Sequence, residues 1–97
     1  MDRIYLIDLY DIYCDLLDDK KRVYFESYYF DNLSLSEISE NLGVSRNAVH
    51  KNLKNVEDRL KFYEEKLKLY KKRITLREII DEIADKKIKQ KLEDISW

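Results

Sequence analysis

Proline is absent from the 97-residue chain, and glycine and cysteine occur once each. Folds built from strands and tight turns use proline and glycine heavily, so their scarcity points to helices joined by short connections. The single cysteine, Cys14, excludes an internal disulfide and a cysteine-built metal site. The single histidine, His50, offers no His–Cys pair. The most apolar stretch, Ile4–Leu17, is interrupted by Asp8, Asp11 and Asp15, which spoils it as a signal peptide or a membrane span. A cytoplasmic location follows. No nucleophile–base pair, phosphate loop or metal cluster is present, so neither an enzyme nor a bound cofactor or metal is expected.

What the chain has is charge. Charged residues make up 40% and hydrophobic residues 44% of it. Lys and Glu are good helix formers, and this apolar share supports a core rather than disorder. The length suits one compact domain. A net charge of −1 gives no global attraction to nucleic acid. The charge is unevenly spread, however. Residues 1–19 carry six Asp against one Arg, whereas residues 45–54 carry Arg46, Lys51 and Lys54 with no acid. A short basic stripe on a balanced chain fits a small local footprint.

Apolar spacing divides the chain into helices. Leu6, Leu9, Tyr10, Tyr13, Leu16 and Leu17 recur at steps of three and four and predict a first helix over 3–17. Asp18 or Asp19 can cap a second helix over about 20–30, which carries Val23, Tyr24, Phe25, Tyr28, Tyr29 and Phe30. Asp31-Asn32 favours a turn. Ser34-Leu35-Ser36-Glu37 is a capping box, so a third helix starts there. Gly43 closes that helix as a left-handed residue, and Ser45 caps the next. From Arg46, the positions Val49, Leu53, Val56, Leu60, Tyr63, Leu67 and Tyr70 form a heptad seam. A helix of about 26 residues would run roughly 39 Å at about 1.5 Å per residue. Lys71-Lys72-Arg73-Ile74 reads as a basic joint. Thr75-Leu76-Arg77-Glu78 reads as a second capping box opening a last helix to about Ile95, with a kink or a break near Asp85. The expected division is a helix-turn-helix domain with its N-terminal helix over 1–70 and a helical extension over 71–97.

The decisive stretch is residues 34–54, a helix-turn-helix. Ile38, Leu42, Val44 and Val49 are expected to form the small core that sets two helices at a steep angle. The start of the second helix is then free to enter a DNA major groove. Arg pairs bidentately with guanine and Asn with adenine, while Lys suits phosphate. Arg46, Asn47 and Lys51 are therefore candidates for base contact. Ser45, Lys54 and Lys20 are candidates for phosphate, and His50 lies exposed on the same helix. Three positive charges neutralise few phosphates, so a dimer, which doubles the contacts, would bind better. The seam Val56–Leu60–Tyr63–Leu67–Tyr70 offers a dimerisation surface, unless the first and last helices cover it within the chain.

The run from Leu17 to Leu69, with Tyr28-Tyr29, Leu33-Ser34-Leu35, Glu37-Ile38, Val44-Ser45-Arg46, Ala48-Val49 and Tyr63-Glu64-Glu65-Lys66-Leu67, resembles the YlxM family. These small bacterial proteins are similar to region 4 of sigma factors, the part that reads promoter elements. The resemblance implies an all-α, sigma-4-like helix-turn-helix bundle with a long recognition helix and a C-terminal helical extension that favours a homodimer. It also implies a link to the signal recognition particle, with DNA, or the particle's own protein or RNA, as partner. The chain has Asn47 where the family commonly has Gln, and His50 and Lys51 where Tyr and Asp are common. The base-facing surface therefore does not transfer.

The remaining conspicuous residues have structural readings. Cys14 is expected as a small core residue. Tyr5, Tyr10, Tyr13, Tyr24, Tyr28 and Tyr29 sit at helical spacing and are expected to pack rather than to stack on bases. Lys71-Lys72-Arg73 and Lys86-Lys87 read as solvated, or as facing the acidic first helix of another subunit or RNA phosphate. Trp97 is expected to pack on a neighbouring helix or to lie free.

Overall fold

The computed structural model describes residues 2–97. It is all-helical, with six α-helices in the order α1 (Arg3–Tyr13), α2 (Asp19–Tyr29), α3 (Leu35–Leu42), α4 (Arg46–Leu67), α5 (Leu69–Asp81) and α6 (Lys86–Ile95). The molecule is elongated, 56 × 25 × 22 Å. Helices α1–α4 form a packed body, and α5 with α6 forms an arm.

Local chemistry explains most of the boundaries. Asp2 caps α1 by accepting from the Ile4 N–H at 3.0 Å, and Asp18 caps α2 by accepting from the Lys21 N–H at 2.8 Å. Helix α1 is shorter than its apolar spacing predicts. It ends at Tyr13, a 3₁₀ turn follows over Cys14–Leu16, and Leu17 is extended. That extension drops Leu17 into the core and aligns Asp18 as the next cap, while Leu16 is left 53% exposed. After α2, Asn32 takes a left-handed φ of 56° and turns the chain. Arg3 ties the start of α1 to the end of α2 by donating to the Tyr29 carbonyl and to Asn32 Oδ1.

The core falls into two clusters. In the first, Leu6, Leu9, Tyr10, Tyr13 and Leu17 meet Phe25 and Tyr29 of α2 and Val56 and Leu60 of α4. Phe25 stacks between Tyr10 and Tyr29, with centroid distances of 4.3 and 4.4 Å. The second cluster is Tyr24, Ile38, Val49 and Leu53, which holds the helix-turn-helix together. Each such side chain contributes about 1.5–3 kcal/mol on burial. The tyrosines pack as expected: four of the six singled out above are buried and Tyr5 and Tyr28 are half-buried. Their hydroxyls donate to carboxylates, Tyr10 to Glu26, Tyr13 to Glu64 and Tyr29 to Glu57, at 2.6–2.7 Å. Burial, reinforced by these carboxylates, pushes the Tyr10 and Tyr13 phenols up to about 12 and raises Tyr29 further. Cys14 is half-buried against the first cluster.

Three expectations are corrected by the packing. First, Val56 and Leu60 are fully buried within the chain, because α1 lies along the α4 seam. Tyr63 and Tyr70 are half-buried by the same helix, and only Leu67, at 44%, remains open. Of the two ways to cover the seam, the one within the chain is realised, by the first helix and not by the last. Second, Leu42 and Val44 do not join the small core; they are 38% and 36% exposed. Third, the joint lies at Lys68, not at residues 71–74, and Thr75 sits inside α5 rather than before it. Lys68 adopts φ 55°, unusual for a residue with a Cβ.

The third correction has a tertiary cause. The Glu64 side chain, only 9% exposed, accepts from the Tyr13 hydroxyl and from the N–H groups of Tyr70 and Lys71 at 2.6, 3.0 and 3.2 Å. The Tyr13 oxygen in turn accepts from the Leu69 N–H at 3.1 Å. The first N–H groups of α5, which have no partner in their own helix, are thus capped by side chains from α4 and α1. The near end of the arm is tied down further by the Arg73–Asp11 ion pair and by the edge-on contact of Tyr5 with Tyr70. At the far end, the expected break near Asp85 is present. Asp85 caps α6 by accepting from the Lys87 and Ile88 N–H groups at 2.9 and 3.1 Å.

Candidate nucleic-acid interface

The interface is set by two caps and one turn. Ser34 accepts from the Glu37 N–H at 3.1 Å, and Glu37 accepts from the Ser34 N–H at 3.1 Å, so the capping box closes in both directions. This fixes where α3 begins. Gly43 ends it at φ 65°, ψ 34°, a conformation that costs glycine little. Ser45 then accepts from the Ala48 N–H at 3.0 Å, which starts α4 and fixes the direction of its first turn. Ile38, Val49 and Leu53 pack beneath. The opposite face of the first three turns of α4 is left to solvent.

Ser45, Arg46, Asn47, His50, Lys51, Lys54 and Lys20 are all exposed. His50, Lys51 and Lys54 line one open concavity of about 370 Å³, together with Asn55 and Asp58. Arg46 and Asn47 lie one turn earlier, at the N-terminal end, where the helix dipole and the free N–H groups favour an anion. No acid occupies the first turn of α4. Lys20 is set apart from this group. It lies beside the turn, at an apolar cleft of about 240 Å³ lined by Val23, Tyr24, Leu42 and Val44.

Two residues of the concavity escaped the sequence reading. Asn55 stands four positions after Lys51, itself four after Asn47, so helical spacing alone could have found it. Asp58 faces Lys54 at 3.7 Å. That pair is 66% and 57% exposed, so water and salt weaken it, and Lys54 stays available to an anion at modest cost. A smaller hollow of about 180 Å³ joins His50 and Lys54 to Tyr28, Tyr29, Leu35, Leu53 and Glu57 on the other flank of α4.

The family comparison points to a helix-turn-helix as well. A family model described as "Putative helix-turn-helix protein, YlxM / p13 like" matches residues 1–96. The chain belongs to the YlxM/p13-like helix-turn-helix family. Its similarity to curated members is substantial. A UPF0122 protein of Streptococcus gordonii is 47% identical over 78 residues, which is 80% of this chain and 71% of the relative. Streptococcus thermophilus and Streptococcus pneumoniae have members 46% and 45% identical over the same shares. In this YlxM-like chain, no described helix is long and apolar enough to cross a membrane.

Proposed function

We propose that the chain is a cytoplasmic DNA-binding regulator that docks the start of α4 in a major groove, and that it binds rather than catalyses. Arg46, Asn47 and Lys51 read base edges. Ser45, Lys54 and Lys20 hold phosphate, with His50 at the rim. The single observation that carries this reading is the exposure of Ser45, Arg46, Asn47, His50, Lys51 and Lys54 along the first turns of one capped helix, with Lys20 exposed beside the turn. Helical spacing places Arg46 and His50 on one ridge and Asn47 and Lys51 on the next.

The test is duplex-DNA binding measured against salt. Arg46→Ala with Lys51→Ala should weaken binding at least tenfold and relax the base preference, since each lost base contact is worth about 1–3 kcal/mol of discrimination, whereas Lys54→Ala, at a phosphate partner, should lower the log–log salt slope by about one. Thermal stability should stay within about 0.5 kcal/mol, since both side chains are exposed. Equal affinity of variant and parent at low salt would sink the reading.

Few cations on one protomer favour a homodimer. With Val56 and Leu60 sealed by α1, the pairing surface falls to Leu67 and to the open Leu76–Ile79 face of α5, where Lys71 and Lys72 would meet the acidic α1 of a second copy. This leaves residues 71–97 as an extension with its own role beside the 1–70 domain. Sedimentation showing only monomer at micromolar concentration would remove the dimer.

A second reading is favoured by the apolar cleft beside the turn, which DNA does not need. In it, the chain is an accessory of the signal recognition particle that grips protein or RNA. Capture by purified particle, with no salt-dependent binding to genomic DNA fragments, would select this second reading.

A further inference from the structure

Helix α6 is the part of the molecule least explained by DNA binding. Its apolar residues, Ile88, Leu92 and Ile95, recur at steps of four and three and define one edge. Helix α5 covers little of that edge. Ile88 is 51% and Ile95 74% exposed, and Trp97, which follows the helix, is 46% exposed. Lys87 and Lys91 are exposed one position before Ile88 and Leu92 and so border one side of this edge. The other side carries Lys89 and Glu93, and Glu93 lines a hollow against Arg77 of α5. Asp94 falls on the Lys87 ridge and accepts from Gln90 at 2.8 Å. Helix α6 carries four lysines against these two acids, so the open edge is apolar with a cationic border along one side.

We propose that this edge of α6 adsorbs to an anionic lipid surface. A short helix with lysines along one border of an apolar strip lies flat at the headgroup boundary, its apolar side chains in the acyl region and its ammonium groups among lipid phosphates. Charge complementarity selects this occupant. An antiparallel α6–α6 contact would set the two lysine borders against each other, whereas a surface of lipid phosphates neutralises them. The arm's projection from the body in a 56 Å long molecule gives the edge room to lie on a plane. Adsorption needs no membrane span, and it leaves the start of α4 free.

The chain contains a single tryptophan, so Trp97, two residues after Ile95, reports on the end of α6 without labelling. The full chain is titrated with vesicles of phosphatidylcholine alone and of phosphatidylcholine mixed with phosphatidylglycerol, at low and at physiological salt. The expected result is a blue shift of Trp97 emission and co-sedimentation with the anionic vesicles only, weakened by salt. Each lysine near an anionic surface strengthens partitioning about fivefold, so Lys87→Glu with Lys91→Glu should lower it by more than tenfold. Ile88→Ser with Ile95→Ser should abolish the blue shift. Both pairs are exposed, and circular dichroism checks that they fold.

Three outcomes overturn the proposal. One is the absence of any shift or sedimentation with anionic vesicles at low salt. A second is binding that survives both double variants, which would place the contact elsewhere. The third is a shift that rises with protein concentration without lipid and disappears with dimerisation in the isoleucine variant, which would make the edge a subunit interface.

Discussion

The body and the arm of this protein solve the same problem differently. Thirteen of the fourteen buried hydrophobic side chains lie in or beside α1–α4, and the arm contributes only Ile80. The body builds a sealed interior, while Ile4, Leu16, Phe30 and Phe62 stay open on its surface. The arm leaves Ile74, Ile79, Ile88 and Ile95 open to solvent. Both are rich in Lys, Glu and aliphatics, although ten of the twelve aromatic residues lie in residues 1–68. What also differs is the number of faces that meet. Helix α4 is covered by α1, α2 and α3, whereas α6 has only α5 to lie against. A helix with one neighbour cannot hide a full apolar stripe. Its stability rests on the joint with the body, and its outer surface is left to solvent.

Alkali should break the body most completely. Burial and the carboxylates of Glu26 and Glu64 disfavour the phenolates of Tyr10 and Tyr13, so their folded pKa values rise from 10 to about 12. A raised folded pKa in an acid means that the neutral form is the one the fold prefers. Stability is then fully present below pH 10 and lost as pH rises towards about 12. Tyr29 adds to the same loss. Cooperative unfolding in that window is expected by circular dichroism. Tyr10→Phe should flatten the descent. An identical alkaline transition in that variant would show that the phenols are not what couples the body to pH.

Truncation should separate the two regions next. Leu60→Ala, at a fully buried site of the first cluster, should cost about 2–5 kcal/mol in urea unfolding. Ile79→Ala, half exposed on the arm, should cost within about 0.5–1 kcal/mol. Comparable losses at both sites would mean that the arm's outer face is covered by a second chain in solution.

How far the sequence carried is itself divided along this line. Most boundaries made by local chemistry were legible, although the end of α1 at Tyr13 was not and the Thr75 box marks no boundary. The Ser34–Glu37 box, the Gly43 turn, the Ser45 cap and the Asp85 break each depend on residues within a few positions of one another. The candidate site was legible for the same reason, since exposure of the first turn of α4 follows from its cap. The joint at Lys68 was not legible, because Glu64 and Tyr13, 51 residues apart, build its cap. Leu42 and Val44 were misplaced because an apolar residue next to a turn looks the same whether it is packed or open. The heptad seam was real, but periodicity names a face and not what covers it.

The joint offers a test of intermediate size. Glu64→Ala leaves the Tyr13 hydroxyl without its acceptor and frees the N–H groups of Tyr70 and Lys71. The expected cost is about 1–3 kcal/mol, with amide exchange in α5 and α6 speeding up before that in α1–α4. Uniform acceleration along the chain would show that body and arm unfold as one unit and that the distinction drawn between them is only geometric.

The smallest expected effect concerns the turn, where the body most resembles the arm. Gly43, Leu42 and Val44 are all exposed, and a Cβ on Gly43 would meet nothing within 4 Å. The cost of Gly43→Ala therefore comes from the left-handed backbone alone, about 1–2 kcal/mol. Gly43→Asn should lose less, since Asn tolerates this conformation better. In both variants DNA affinity should fall no further than the folded fraction does, because the new side chain points into open space and away from the packed residues beneath α4. A loss as large as that of Leu60→Ala would place Gly43 under a covering surface. The cleft formed by Val23, Leu42 and Val44 would then be closed in solution, and the partner-gripping reading would lose the feature on which it rests.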